Sequence, residues 1–203
     1  MVKKAHILSH FQKNDPRIAA LFETITIETI VSKKPDAFFI SLCSEIIGQQ
    51  LSGKVADVIE HRFKAVFGKK TITPESVIGL SDDALRATGM SWSKVGFIKD
   101  LANKVKTKEI DLSGLIDLSD HDVIAELTKI KGIGPWTAEM FLIFTLGRDD
   151  VFSYGDLGLR QGIQKLYGLR KEPTIRQMDK LTKAWSPYRS YAARLLWRYK
   201  DGE

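Results

Sequence analysis

Residues 130–140 read IKGIGPWTAEM, and the chemistry they offer lies in the backbone. Gly132 and Gly134 permit positive φ and close approach of another backbone. Pro135 suits the first position of a helix, where its missing N–H would have no partner. KIKGIGPW therefore predicts a tight reversal between helices at about 120–130 and 135–147. Such a turn aims backbone N–H groups outward beside the positive end of a helix dipole, which makes an anion site, and phosphate is the usual anion. A plain helix–helix turn closed by a glycine has the same signature. The turn taken alone leaves both open.

The other reactive side chains mostly exclude chemistry. Cys43 is the single cysteine, so an intrachain disulfide and a thiolate-ligated iron–sulfur cluster are ruled out. His6 and His10 have helical i,i+4 spacing, but no acidic or cysteine ligand completes a zinc set, and they read as surface. The net charge of +6 suits an anionic partner, nucleic acid above all, without requiring one. No apolar run reaches the length of a membrane span, and MVKKAHILSHFQKND lacks a signal-peptide core. A soluble chain without membrane contact is expected.

The elements that must position the turn are helices. Asp15-Pro16 predicts an N-cap and first helical residue, followed by apolar Ile18, Leu21, Phe22 and Ile25. Pro35 opens DAFFISLCSEIIGQQ. Ser52 heads a stripe of Val55, Val58, Ile59, Phe63, Val66 and Phe67 closed by Gly68. Thr73-Pro74, Ser81, SWSK at 91–94 and Ser119 begin further helices, and later ones start at Pro135 and near Asp156, Thr174 and Pro187. Only TITIETIV at 24–31 invites a strand, because β-branched residues weaken a helix there. The prediction is an all-α chain of about ten short helices, with no flexible linker and no internal repeat.

Four separated blocks resemble the helix-hairpin-helix DNA glycosylase superfamily, most closely its 3-methyladenine DNA glycosylase II, alkylation-repair branch. They are IIGQQLSGKVA at 46–56, LRATGMSWSKVGFIKDLA at 85–102, the hairpin with Leu127, Ile130, Gly132, Ile133, Gly134, Trp136, Thr137 and Ala138 running on to GRDDVFSYGDLGLR at 147–160, and WSPYRSYAARLLWRY at 185–199. The resemblance spans roughly residues 36–200.

It implies a monofunctional hydrolase of the N-glycosidic bond of alkylated bases in base excision repair, acting as a monomer on double-stranded DNA. Asp156 falls at the family's catalytic carboxylate, which would stabilise an oxocarbenium-like sugar and orient water. Asp149 and Asp150 lie nearby, just past a helix end, and read as solvated. Many members place a proline three residues before the aspartate; Ser153 stands there in this chain, leaving the loop without that restraint. Family members that also nick the backbone carry a lysine where this chain has Trp136, and an indole cannot form a Schiff base. Trp136, Trp197 and Met140 would line the base pocket, an indole face attracting a cationic alkylated purine. Gln50, then Gln49 and Leu51, match the residue that fills the gap left by the flipped base, with Trp92 as a second wedge. Gly132, Ile133, Gly134, Lys131, Lys94 and Arg160 would hold the DNA backbone, and the carbonyls of Thr128, Ile130 and Ile133 a structural Na+ or K+; no other cofactor is implied.

The architecture implied is two-lobed with a cleft between lobes: a helical lobe over 34–147, and a second built from 1–33 plus 148–203. The match starts too early to leave room for the β-rich N-terminal domain of some relatives. A non-catalytic helix-hairpin-helix DNA-binding module is the alternative, but it would need neither Asp156 nor an aromatic pocket. The implied location is the cytoplasm at the nucleoid in a bacterium, or the nucleus in a eukaryote.

Overall fold

The structure is a computed structural model and describes residues 2–202. Among these residues there are twelve α-helices and no strand: α1 (Val2–Asn14), α2 (Pro16–Thr24), α3 (Phe38–Gly48), α4 (Gly53–Val66), α5 (Pro74–Ile78), α6 (Asp82–Arg86), α7 (Trp92–Lys106), α8 (Asp120–Leu127), α9 (Pro135–Phe144), α10 (Leu157–Tyr167), α11 (Ile175–Thr182) and α12 (Arg189–Asp201). Contacts divide the chain into two units, Met1–Ser32 with Gly147–Glu203, and Lys33–Leu146.

Side-chain caps set most helix starts. Asp15, Thr73, Ser81, Ser91, Ser119, Asp156 and Thr174 each accept a backbone N–H from the first turn of the helix they precede. Ser52 precedes α4 as expected but makes no such bond.

In the Lys33–Leu146 unit, α3 is the central element and packs on α4, α7 and α9. Its buried Phe38, Leu42, Cys43, Ile46 and Ile47 meet a core that includes Phe63, Ile98, Leu127 and Phe141. The Phe38 and Phe141 rings meet edge to face at 5.6 Å, joining α3 to α9.

In the other unit, α10 packs on α12 over a core that holds Leu159, Ile163, Tyr191, Leu195 and Leu196. Gly162 makes the crossing close, because a Cβ there would stand 2.9 Å from the Leu196 carbonyl oxygen. The segment after α2 departs from both readings of TITIETIV, being neither helix nor strand over residues 25–34. Ile25, Ile27 and Ile30 are buried while Thr26, Glu28 and Thr29 face water. An extended strap needs partners for its backbone, and α12 supplies them through side chains. Arg194 donates to Glu28 O at 2.8 Å, Arg198 to Thr26 O, and Tyr191 Oη accepts the Ile30 N–H at 3.2 Å.

Candidate functional site

The hairpin of the Lys33–Leu146 unit runs from the end of α8 to the start of α9. Gly132 has φ +81, and a Cβ there would come within 2.1 Å of the Phe97 ring of α7, so conformation and packing both demand glycine. The carboxylate of Asp100, also on α7, accepts the Lys131 N–H at 2.9 Å and holds the turn down. Gly134 is the N-cap of α9, with extended backbone and no capping side chain. Nothing lies within 4 Å of where its Cβ would be, so the approach to the helix N-terminus is open on that side. The Lys131 side chain is exposed beside this turn.

The loop from α3 to α4 is tied to the same hairpin. Gln49 Nε2 donates to Gly132 O at 2.8 Å and to Thr137 Oγ1 at 3.1 Å. Lys94 Nζ donates to Ile47 O and Gln49 O, both at 2.7 Å, and caps the end of α3. Two of its three protons are thus used inside the protein, and burial lowers its pKa. The Leu51 N–H closes a turn on Gly48 O at 3.2 Å. Gln50 sits at the third position of that turn with φ +57, a left-handed conformation usually left to glycine or asparagine. Such a residue costs about 1–3 kcal/mol, and here it is at an exposed tip with Leu51 beside it. Of the residues expected to fill a vacated base site, Gln50 is presented to solvent and Gln49 is a tether.

Trp92 begins α7 and is 57% exposed, with the Arg86 guanidinium 5.9 Å from its ring centroid. Trp136 opens α9 and is 42% exposed, whereas Met140, one turn on, is buried.

The carboxylate lies in the other unit. Asp156 is 9% exposed and N-caps α10. Its Oδ1 accepts the Leu159 N–H at 2.7 Å and the Trp197 indole N–H at 3.0 Å. Gly158 makes room for this pair, since a Cβ there would stand 3.1 Å from both Asp156 Oδ1 and Trp197 Cδ1. Trp197 therefore acts on the carboxylate directly, a contact that sequence position does not reveal. The signal that was available is the glycine two residues after the aspartate.

The approach to Asp156 is anchored without proline. The Asp156 N–H bonds Ser153 O at 3.2 Å, and Ser153 is wholly buried. Ser190 Oγ accepts the Val151 N–H at 2.9 Å, and the Ser190 N–H bonds Asp149 O at 3.0 Å. The expected loss of restraint is thus made good by the start of α12. Asp149 and Asp150 also differ from the solvated reading. Asp149 pairs with Lys3 at 3.0 Å, and Asp150 takes a two-pronged bond from Arg189 at 2.7 and 2.9 Å. Arg160 lies 3.9 Å from Glu172.

For a monovalent cation at the hairpin, the donors present are of the right kind, being neutral carbonyl oxygens at a helix C-terminus. The Ile130 carbonyl already accepts the Ile133 N–H at 3.1 Å and retains its second lone pair.

An all-helical chain with a glycine hairpin followed by a buried carboxylate at the next helix start defines a class of DNA-repair protein. The chain belongs to the HhH-GPD superfamily of base excision DNA repair proteins, whose model matches residues 43–187. It is 36% identical to DNA-3-methyladenine glycosylase 1 of Schizosaccharomyces pombe, covering 96% of this chain and 86% of that one. It is 33% identical to a putative DNA-3-methyladenine glycosylase of Bacillus subtilis, covering 95% of this chain and 68% of that one. Among solved structures it is similar to the S. pombe 3-methyladenine DNA glycosylase in complex with abasic DNA, with 32% identity, TM-score 0.79 and 97% of each chain covered.

Proposed function

We propose that this chain is a monofunctional DNA glycosylase that hydrolyses the N-glycosidic bond of alkylated bases of the 3-methyladenine and 7-methylguanine type. The observation that carries the reading is Asp156, a carboxylate buried at a helix N-terminus and held by two N–H donors on one oxygen. The names of the relatives at 33–36% identity point the same way. In this reaction the bond from C1′ to the base nitrogen breaks and its electron pair goes to the departing base. Positive charge then builds on the sugar, where a carboxylate stabilises it. Water adds to C1′, and its proton passes to the carboxylate or to solvent. Trp136 offers an aromatic face to a cationic purine and no amine to attack the sugar.

Double-stranded DNA is the partner, engaged by a monomer. The hairpin N–H groups of Gly132, Gly134 and Trp136 and the exposed Lys131 take phosphate, and Gln50 enters the stack with Leu51 and Trp92 beside it. The carbonyls of Thr128, Ile130 and Ile133 are the residues that would hold Na+ or K+ at this turn and bridge it to phosphate. Among the described residues no helix is long and apolar enough to cross a membrane.

The test is incubation with methylated duplex DNA followed by assay of released bases. The wild-type chain should release 3-methyladenine, and Asp156→Asn should bind the same DNA without release. Undiminished release by that variant removes Asp156 from the chemistry. A wild-type chain that binds but releases nothing is a binding module, and covalent trapping by borohydride would make it a lyase.

A further inference from the structure

The turn that presents Gln50 has its central peptide flipped. Gln49 stands at φ −51 and ψ 130 and Gln50 at φ +57, which with the Leu51 N–H on Gly48 O makes a type II turn over residues 48–51. Type II calls for glycine or asparagine at the third position, whereas a type I turn over the same residues would let a glutamine there keep a negative φ. The two types differ by rotation of the peptide between the second and third residues, here Gln49–Gln50. Packing of the turn itself does not account for the choice. Gly48 and Gly53 flank it, and nothing lies within 4 Å of where either Cβ would be.

Two side chains hold that peptide and the residue before it. The Gln49 carbonyl, which belongs to the flipped peptide, accepts from Lys94 Nζ at 2.7 Å, and the same ammonium bonds Ile47 O at 2.7 Å. A type I turn would swing the Gln49 oxygen away and cost Lys94 that bond. Hydrogen bonds from a charged donor are the stronger class, and a left-handed residue persists only where its surroundings fix it. Gln49 Nε2 meanwhile reaches Gly132 O and Thr137 Oγ1 in the hairpin. Lys94 rises from α7, which also carries Phe97 against Gly132 and Asp100 on the Lys131 N–H. Turn and hairpin are thus both referred to one helix, and exposed Trp92 stands two residues before Lys94 on it.

We propose that Lys94 is a positioning residue: it clamps the Gln49–Gln50 peptide in the type II orientation and so aims the Gln50 side chain, while Gln49 registers the turn against the phosphate-binding hairpin. This rests on the glycosylase function proposed above and on the place given there to Gln50. Lys94 then spends its charge on carbonyls and not on phosphate, against the expectation from its place in the chain. A side chain aimed in advance loses less conformational freedom when it enters the stack. The clamp therefore favours the flipped state of the base and leaves the grip on undamaged duplex alone.

The experiment compares wild type with Lys94→Met, Lys94→Arg and, as a phosphate contact, Lys131→Met. The turn is read by the proton cross-peak between Gln49 Hα and the Gln50 N–H, strong in type II, where ψ of the second residue is extended, and weak in type I. Lys94→Met should weaken the cross-peak. It should also lower base release from a duplex holding one 7-methylguanine about tenfold at limiting enzyme, the scale of one bond to a charged group. Its binding to undamaged duplex should keep the wild-type salt dependence, whereas Lys131→Met should make that slope shallower by about one with the cross-peak intact. Lys94→Arg should recover most of both losses, and in a Gln50→Gly background Lys94→Met should cost less than about twofold more. An unchanged cross-peak, a salt slope reduced as in Lys131→Met, or the full loss in the Gln50→Gly background overturns the proposal. Should Lys94→Met not fold, Lys94→Gln, whose donor is too short to span both carbonyls, is read the same way. If wild type releases no base from any duplex, the hydrolase function itself fails while the cross-peak still tests the clamp. If Gln50→Gly releases base as wild type does, the place given to Gln50 fails.

Discussion

Asp156 and Trp197 are joined by one hydrogen bond of 3.0 Å, from the indole N–H to the same carboxylate oxygen that accepts the Leu159 N–H. One oxygen thus serves both the cap of α10 and the link to α12. The close crossing at Gly162 sets the two helices at the separation this bond requires. The pair lets what Asp156 does for the fold be measured apart from the role proposed for it in the reaction.

Replacing Asp156 by Asn keeps a good N-cap, because the two residues rank together at that position. Thermal stability should change by less than about 1 kcal/mol, while base release falls by a factor of roughly a thousand or more, the scale of losing charge stabilisation at a reacting centre. Alanine at the same site should lose the cap as well, at about 1 kcal/mol. Calorimetry and single-turnover release distinguish the two variants.

Trp197→Phe keeps the ring and removes the donor. The carboxylate then loses one of the bonds that fix its direction, and the maximal release rate should drop about tenfold with lesion affinity nearly unchanged. A fall in affinity with the rate preserved would instead make Trp197 a surface for the base.

Gln50 holds a left-handed backbone at an exposed tip. Gln50→Gly should relieve the strain and stabilise the chain by up to about 1 kcal/mol, measured by denaturant melts. Lesion processing should nevertheless weaken, because the gap beside a flipped base loses its filler. A more stable and equally active variant would remove Gln50 from that role.

Gly132→Ala meets both a positive φ and the Phe97 ring. It should cost more than about 2 kcal/mol, since strain and overpacking act together. Pairing it with Phe97→Ala should recover the packing part and leave the conformational part, which a double-mutant cycle reads directly.

Burial would raise the pKa of Asp150, but bonds from Arg189 and Ser186 outweigh it and hold the carboxyl below its ordinary value. A depressed carboxylate contributes stability above its unfolded pKa of about 4, and that contribution is lost as pH falls through the lower folded value. Acid titration of stability below pH 4 should therefore be shallower in Asp150→Asn. The same variant should be less stable at neutral pH by about 1–3 kcal/mol, having given up a charge-assisted pair.

Much of the helical order was legible because it is written in local chemistry. Ser81, Ser91, Ser119 and Asp156 each stand just ahead of an apolar-periodic run, and each caps a helix. The hairpin was legible for the same reason, since Gly132 needs a conformation that only its own residue type takes easily. Residues 25–34 were not, because isoleucine alternation records burial without naming the partner, and the partners are side chains of α12 some 160 residues away, as with Ile30 and Tyr191.

The candidate site divides along the same line. Sequence alone determined which residues carry a carboxylate, an indole or a positive φ, and so which chemistry each could do. Only the tertiary structure decided what they act on: Trp197 on Asp156, Lys94 on the end of α3, and Gln49 on the hairpin. The physical reason is that a hydrogen bond of 3 Å between residues 156 and 197 depends on how two helices cross. That crossing is set by the whole core and not by any one stretch of chain.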